Sequence, residues 1–309
     1  MAGLILAAGL NGSPLGADAP KQPPLPPGYA GSAACKTCHP DVWFNFYKNP
    51  HFKTLALSKA PPESTGCESC HGPGLAHIAG HGDKSKITAF SVLPPGGVLD
   101  RCLTCHGETL ARANIRRSVH TANGIVCTNC HSIHKAATPR NLLAGSQADL
   151  CYTCHADVRG QFEMPSHHRV NEGVVQCSDC HNPHGAVNPT WRMASRPRMV
   201  KQALANEEAC MNCHPETRGP FTFEHPPVRV EGCETCHFPH GSTNSRLLRR
   251  PVVFTLCLEC HNGAPGFART GKGVPQTPIT HNLANARFQN CTSCHISIHG
   301  SNADAFFLR

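Results

Sequence analysis

The sequence predicts mostly irregular loops with short α-helices and almost no strand, drawn out in a line around something other than its own side chains. Three observations predict this fold class. Only 39% of the 309 residues are nominally hydrophobic, and that figure already includes 20 cysteines. About a third remains, against a usual share near half, which is too little to fill a side-chain core for this length. Next, 27 glycines and 27 prolines interrupt the chain throughout, which shortens any regular element. Finally, the cysteines recur in a fixed local pattern from end to end. An ordinary globular enzyme does not fit this composition, and neither does a disordered chain so rich in cysteine.

At the N-terminus, the apolar stretch Gly3–Leu10 and the A-x-A sequence Ala17-Asp18-Ala19 predict an export signal over residues 1–19, although no basic segment precedes it. Residues 20–34 are proline-rich and read as an extended linker. The longest apolar run, Ala2 to Leu10, is nine residues, well short of the roughly 20 needed for a membrane-spanning helix.

Residues 35–309 form the remaining domain. All 20 cysteines fall in ten C-x-x-C-H motifs. In order they are Cys35/Cys38-His39, Cys67/Cys70-His71, Cys102/Cys105-His106, Cys127/Cys130-His131 and Cys151/Cys154-His155. There follow Cys177/Cys180-His181, Cys210/Cys213-His214, Cys233/Cys236-His237, Cys257/Cys260-His261 and Cys291/Cys294-His295. Two thiols three positions apart can each add to one vinyl group of a porphyrin, and the next residue then supplies the proximal imidazole. Disulfides have no reason to place a histidine after every second cysteine. Tetrahedral zinc needs two such pairs, or one pair with spaced histidines. Ten covalently attached c-type haems are therefore expected, and they supply the missing core.

Twelve of the 22 histidines lie outside the motifs. Taking the motifs in pairs gives five modules, at about 35–81, 102–134, 151–184, 210–240 and 257–299. Each has a histidine between its two motifs and another after the second. The candidate distal ligands are His51 and His77, His120 and His134, His167 and His184, His225 and His240, and His281 and His299. His81 and His168 are surplus. His167 is preferred to His168 because His167-x-x-Val170 matches His225-x-x-Val228. A histidine three residues after a motif is expected to reach a neighbouring haem. Five methionines at no fixed offset argue against methionine ligation, so bis-histidine, low-potential haems are expected throughout.

The modules are repeats. Residues 127–155 align without a gap on residues 233–261, and 151–162 match 210–221. Units that pack on their neighbours build an elongated body, here a linear haem wire. The formal charge of +8 does not imply nucleic-acid binding. Twenty propionates and ten ferric cores bring the oxidised form to about −2. Arg116-Arg117, Arg192/Arg196/Arg198 and Arg246/Arg249/Arg250 read as propionate partners.

Several local sequences carry a family resemblance: Pro50-His51-Phe52-Lys53-Thr54, Cys70-His71-Gly72-Pro73-Gly74 with His77 following, Ser166-His167-His168, and Cys180-His181-Asn182-Pro183-His184-Gly185. With the ten motifs, they resemble the decahaem cytochromes of outer-membrane porin–cytochrome conduits, the MtrA, PioA and DmsE group. The resemblance also favours His77 over His81. It implies an exported protein of the periplasm and outer membrane, inserted in a β-barrel porin sheath. Electrons would pass between a periplasmic or inner-membrane donor and an extracellular multihaem cytochrome, mineral or soluble acceptor. No catalytic residue is expected, because no motif is degenerate and the histidines exceed the haem faces. A diffusible periplasmic shuttle, a multihaem reductase and a polymerising filament are the alternatives.

Overall fold

The computed structural model describes residues 24–56, 60–109, 112–185, 209–261, 281–282 and 284–308. The expected signal segment, 1–19, lies outside them. As the sequence predicts, short helical turns are joined by loops, with one two-stranded sheet among the described residues. Pro95–His106, at 12 residues, is the longest helix among the described residues, and Pro40–Tyr47, at eight, follows it. Both begin with proline in the first turn, where its fixed φ suits the helix and its missing N–H is not needed.

Each motif closes one turn. The backbone N–H of the motif histidine donates to the carbonyl of the first cysteine at 2.8–3.0 Å in eight motifs, from His39→Cys35 to His295→Cys291. His71 and His106 end the helices Gly66–His71 and Pro95–His106. One turn brings residues i, i+3 and i+4 to one side, which is the arrangement that two thioethers and an imidazole on a single porphyrin require. Two turns are pinned by their own third residue. The Asn129 side chain accepts the Val126 N–H at 2.8 Å, and that of Asp179 accepts the Gln176 N–H at 2.8 Å.

The side-chain core is thin. Phe46, Val98, Leu99, Ile115, Leu142, Phe162, Val170 and Met211 are among its buried members, yet no described side chain is completely enclosed. Contacts divide the chain into two units, Met1–Val92 and Leu93–Arg309. In the first, the buried carboxylate of Glu68 accepts the backbone N–H groups of Ala30, Gly31 and Gly74 at 2.8–2.9 Å. It thereby ties the end of the proline-rich segment to the second motif. That segment does not stay extended to its end: Ser32–Cys35 is helical and runs into the first motif.

In the second unit, strand β1 (Ser166–His167) pairs antiparallel with β2 (Gly241–Ser242), in the register Ser166↔Ser242 and His167↔Gly241. A bridge between Phe223 and Ser301 repeats this crossing further along the chain. Each crossing joins the segment before one even-numbered motif to the segment after a later one. These crossings position the candidate ligands.

Candidate haem-binding site

In four of the five modules, the first cysteines of the two motifs lie side by side. Cys35 is hydrogen-bonded to Cys67, Cys102 to Cys127, Cys151 to Cys177 and Cys257 to Cys291. Between modules, the charge of Cys154 is felt at Cys130, that of Cys210 at Cys180, and that of Cys260 at Cys236. Motifs adjacent in sequence are thus neighbours in space along these stretches.

The twenty thiols are not equally enclosed. If the attachment cysteines formed a core, all of them would lie inside. Cys38, Cys105, Cys154, Cys213 and Cys294 instead stand exposed, and the other fifteen are half-buried. All five are second cysteines of their motifs. Protein side chains therefore enclose the attachment thiols only in part, in keeping with the thin core.

The histidines face one another in pairs, each containing one motif histidine and one from outside the motifs. Four pairs are nearly coplanar: His39/His77 at 6.4 Å between ring centres, His131/His184 at 6.2 Å, His225/His261 at 6.3 Å and His237/His299 at 6.3 Å, with interplanar angles of 13–30°. Four are strongly rotated: His120/His155 at 6.2 Å, His168/His214 at 6.4 Å, His181/His240 at 6.0 Å and His281/His295 at 6.2 Å, at 52–64°. The spacing has a physical meaning. Two metal–imidazole bonds of about 2 Å, plus about 1 Å from each bonding nitrogen to its ring centre, sum to about 6 Å. The rings stand apart by the space that one six-coordinate iron needs, so the residues present fit a haem in each gap.

The pairing follows a rule in the second unit. The histidines of motifs 4, 6 and 8 are faced by those following motifs 6, 8 and 10, namely His184, His240 and His299. The histidines of motifs 5, 7 and 9 are faced by those preceding motifs 4, 6 and 8, namely His120, His168 and His225. His281 faces the motif it precedes. Of the remaining residues, His71 and His106 complete the motif set, and His51 and His134 complete the candidate distal set.

Ring nitrogens on the far side are held by acceptors. Nδ1 donates to a backbone carbonyl in His71 (Thr88, 2.8 Å), His77 (Asp83, 2.8 Å), His120 (Pro183, 2.9 Å), His131 (Asn141, 2.6 Å), His168 (Pro239, 2.6 Å), His237 (Arg246, 2.8 Å) and His295 (Phe306, 2.5 Å). The Asn49 side chain takes this role for His51 and that of Gln161 for His240, both at 3.0 Å. A carbonyl that accepts fixes the proton on Nδ1, so Nε2 keeps its lone pair for a metal, and the bond makes that nitrogen a stronger donor. Burial holds several of the rings neutral, as ligation requires. It lowers the pKa of His184 and His299, and with help from His261 and His299 it brings His225 down to about 4.

At one doubled position the structure departs from the expected choice: His168, not His167, faces a motif histidine. His167 is engaged at both nitrogens, Nδ1 with the Met164 carbonyl and Nε2 with Glu172 at 3.0 Å. Glu172 and then the Met164 carbonyl draw its pKa upward, which works against the neutral form that ligation needs. The match to His225-x-x-Val228 missed this. The deciding partner of His168, the Pro239 carbonyl, is 71 residues away. At the other doubled position His77 faces His39, while His81 lies at φ 53° in the turn beyond the helix Leu75–Ala79. Of the arginines expected to meet propionates, Arg116 holds Asp100 at 2.7 Å and Arg250 holds Glu259. Arg192, Arg196 and Arg198 lie outside the described residues.

Paired attachment thiols with facing imidazoles, repeated along a chain of short turns, define a multihaem c-type cytochrome: an iron-binding electron-transport protein that holds its haem covalently. The doubled CXXCH motif family matches residues 120–160, 167–219 and 225–266. The multiheme cytochrome MtrA of Shewanella baltica is 32% identical over 88% of this chain and 79% of its own length. The chain belongs to this family of MtrA-like multihaem cytochromes. It is also 28% identical to the C-type polyheme cytochrome OmcB of Geobacter sulfurreducens, over 84% of this chain but 31% of that protein. The tetraheme c-type cytochrome CymA of Shewanella oneidensis is 27% identical over 41% of this chain and 79% of its own.

Proposed function

We propose that the chain carries ten bis-histidine c-type haems and passes electrons along them between periplasm and cell exterior, sheathed by an outer-membrane β-barrel partner. The observation that carries this reading is the set of eight facing histidine pairs, each with room for one iron and two bonds. When bound, each haem supplies an iron that exchanges one electron. The chain supplies the thiols that tether it, two imidazoles, and the acceptors that orient them. With both axial positions filled by protein, no face is left for a substrate, so the role is transfer and not catalysis. The distal set we propose is His51, His77, His120, His134, His168, His184, His225, His240, His281 and His299, with His168 in place of His167.

Among the described residues no helix is long and apolar enough to cross a membrane. Likeness to MtrA supports a barrel as the means of entry, since a closed barrel satisfies its own backbone and leaves its lumen polar. A haem assay on the purified chain should return ten haems, all low-spin in both redox states. Vesicles holding the chain with its barrel should reduce an enclosed dye from an external donor. High-spin iron or rapid carbon monoxide binding would point instead to a reductase. A dye reduced only when the chain is free in solution would point to a shuttle.

A further inference from the structure

Three distal ligands are held by the residue next to another distal ligand. His120 donates to the Pro183 carbonyl at 2.9 Å, and the next residue, His184, faces His131. His168 donates to the Pro239 carbonyl at 2.6 Å, and His240 faces His181. His225 bonds the backbone of Ile298, and His299 faces His237. Antiparallel crossings account for two of the three. The register Ser166↔Ser242 and His167↔Gly241, carried one step further, sets His168 opposite His240. The Phe223↔Ser301 bridge likewise sets His225 opposite His299.

A glycine follows each of these second histidines. A methyl group on Gly241 would stand 1.8 Å from the Gln161 carbonyl oxygen, and one on Gly300 2.1 Å from the Phe221 ring. At Gly185 the Asn114 carbonyl is 3.1 Å away. The close crossing that creates the hydrogen bond is the one that excludes a side chain.

We propose that the sequence X-His-Gly at 183–185, 239–241 and 298–300 is a peptide strut coupling two irons. Its carbonyl sets the donor strength of one distal imidazole, and its histidine ligates the adjacent haem. The strut rests on the bis-histidine reading above. It predicts that haems 4 and 5, 6 and 7, and 8 and 9 respond as pairs across module boundaries, in addition to whatever coupling their proximity gives. Pro183, Pro239 and Ile298 act as positioning residues: loss of their carbonyl weakens the imidazole it holds, and the potential of that haem rises.

The test compares three variants of the full haem-loaded chain by potentiometric titration and by proton NMR of the haem methyl groups. Gly241→Ala, which forces the strut away from Gln161, should shift haems 6 and 7 together. Gln161→Leu removes only the acceptor of His240 and should shift haem 6 alone. Gly160→Ala, at an open position, should shift none. If Gly241→Ala does not mature, Asn182→Ala serves. Asn182 frames the strut by accepting the His184 N–H at 3.0 Å and donating to the Gly185 carbonyl at 2.9 Å, and its loss should move haems 4 and 5. A strut variant that shifts a single centre, or none, overturns the proposal. High-spin iron in the unaltered chain would instead count against the bis-histidine reading beneath it.

Discussion

His167 and His168 are adjacent, identical in chemistry, and placed by their surroundings in different roles. One is engaged at both ring nitrogens, by the Met164 carbonyl and by Glu172; the other donates to the Pro239 carbonyl and faces His214. His168→Met should therefore raise the potential of one centre, because a thioether favours ferrous iron. His167→Met should leave all the potentials within error, and a redox titration of both variants decides the matter. The covalent part of each site was legible in the sequence because it is local: two cysteines and a histidine on one helical turn. The distal part was legible only as a supply of residues. Which ring faces which depends on Pro183, Pro239 and Gln161, whose distance in sequence from the ligands they hold is 63, 71 and 79 residues.

At the scale of elements, the short helices survive through local capping and long-range ties. Glu68 is the strongest such tie, with three backbone donors on one buried carboxylate. Each donor left without a partner costs about 1–3 kcal/mol. Glu68→Ala should therefore release the segment around Ala30 and Gly31, and limited proteolysis should cut there first. The second element-level consequence is spectroscopic. Ligand planes that nearly coincide split the iron d-orbitals, whereas strongly rotated planes leave two of them close in energy. Electron paramagnetic resonance of the oxidised protein should show both kinds of low-spin signal. Rhombic spectra should come from the sites of His39, His131, His237 and His261, and strongly anisotropic ones from those of His155, His181, His214 and His295. The choice between parallel and rotated planes has no counterpart in the motif pattern.

For the whole molecule, the shortage of apolar residues already implied that something besides side chains fills the interior, and the thin core bears this out. A compact chain of this length has a radius of gyration of about 19 Å. A line of haems long enough to serve a barrel requires a clearly larger value, and solution scattering of the loaded chain measures it. A value at the compact limit contradicts the conduit.

The pairing rule also bears on how such a chain can be made and how it can change in length. The ring that faces His131 lies beyond motif 6, and the ring that faces His237 lies beyond motif 10. During maturation, an early haem therefore waits with one side open until a later stretch of polypeptide arrives. A chain ended after Asn282 should mature motif 8 normally yet leave its iron five-coordinate, visible as carbon monoxide binding. Nor can a descendant lose its last two haems by trimming the C-terminal end, because the cut leaves His237 without its facing ring and His225 without the motif it faces. Copies spliced into the interior keep every pair matched. Relatives of different haem number should then differ by internal duplications, and their C-terminal modules should stay alike.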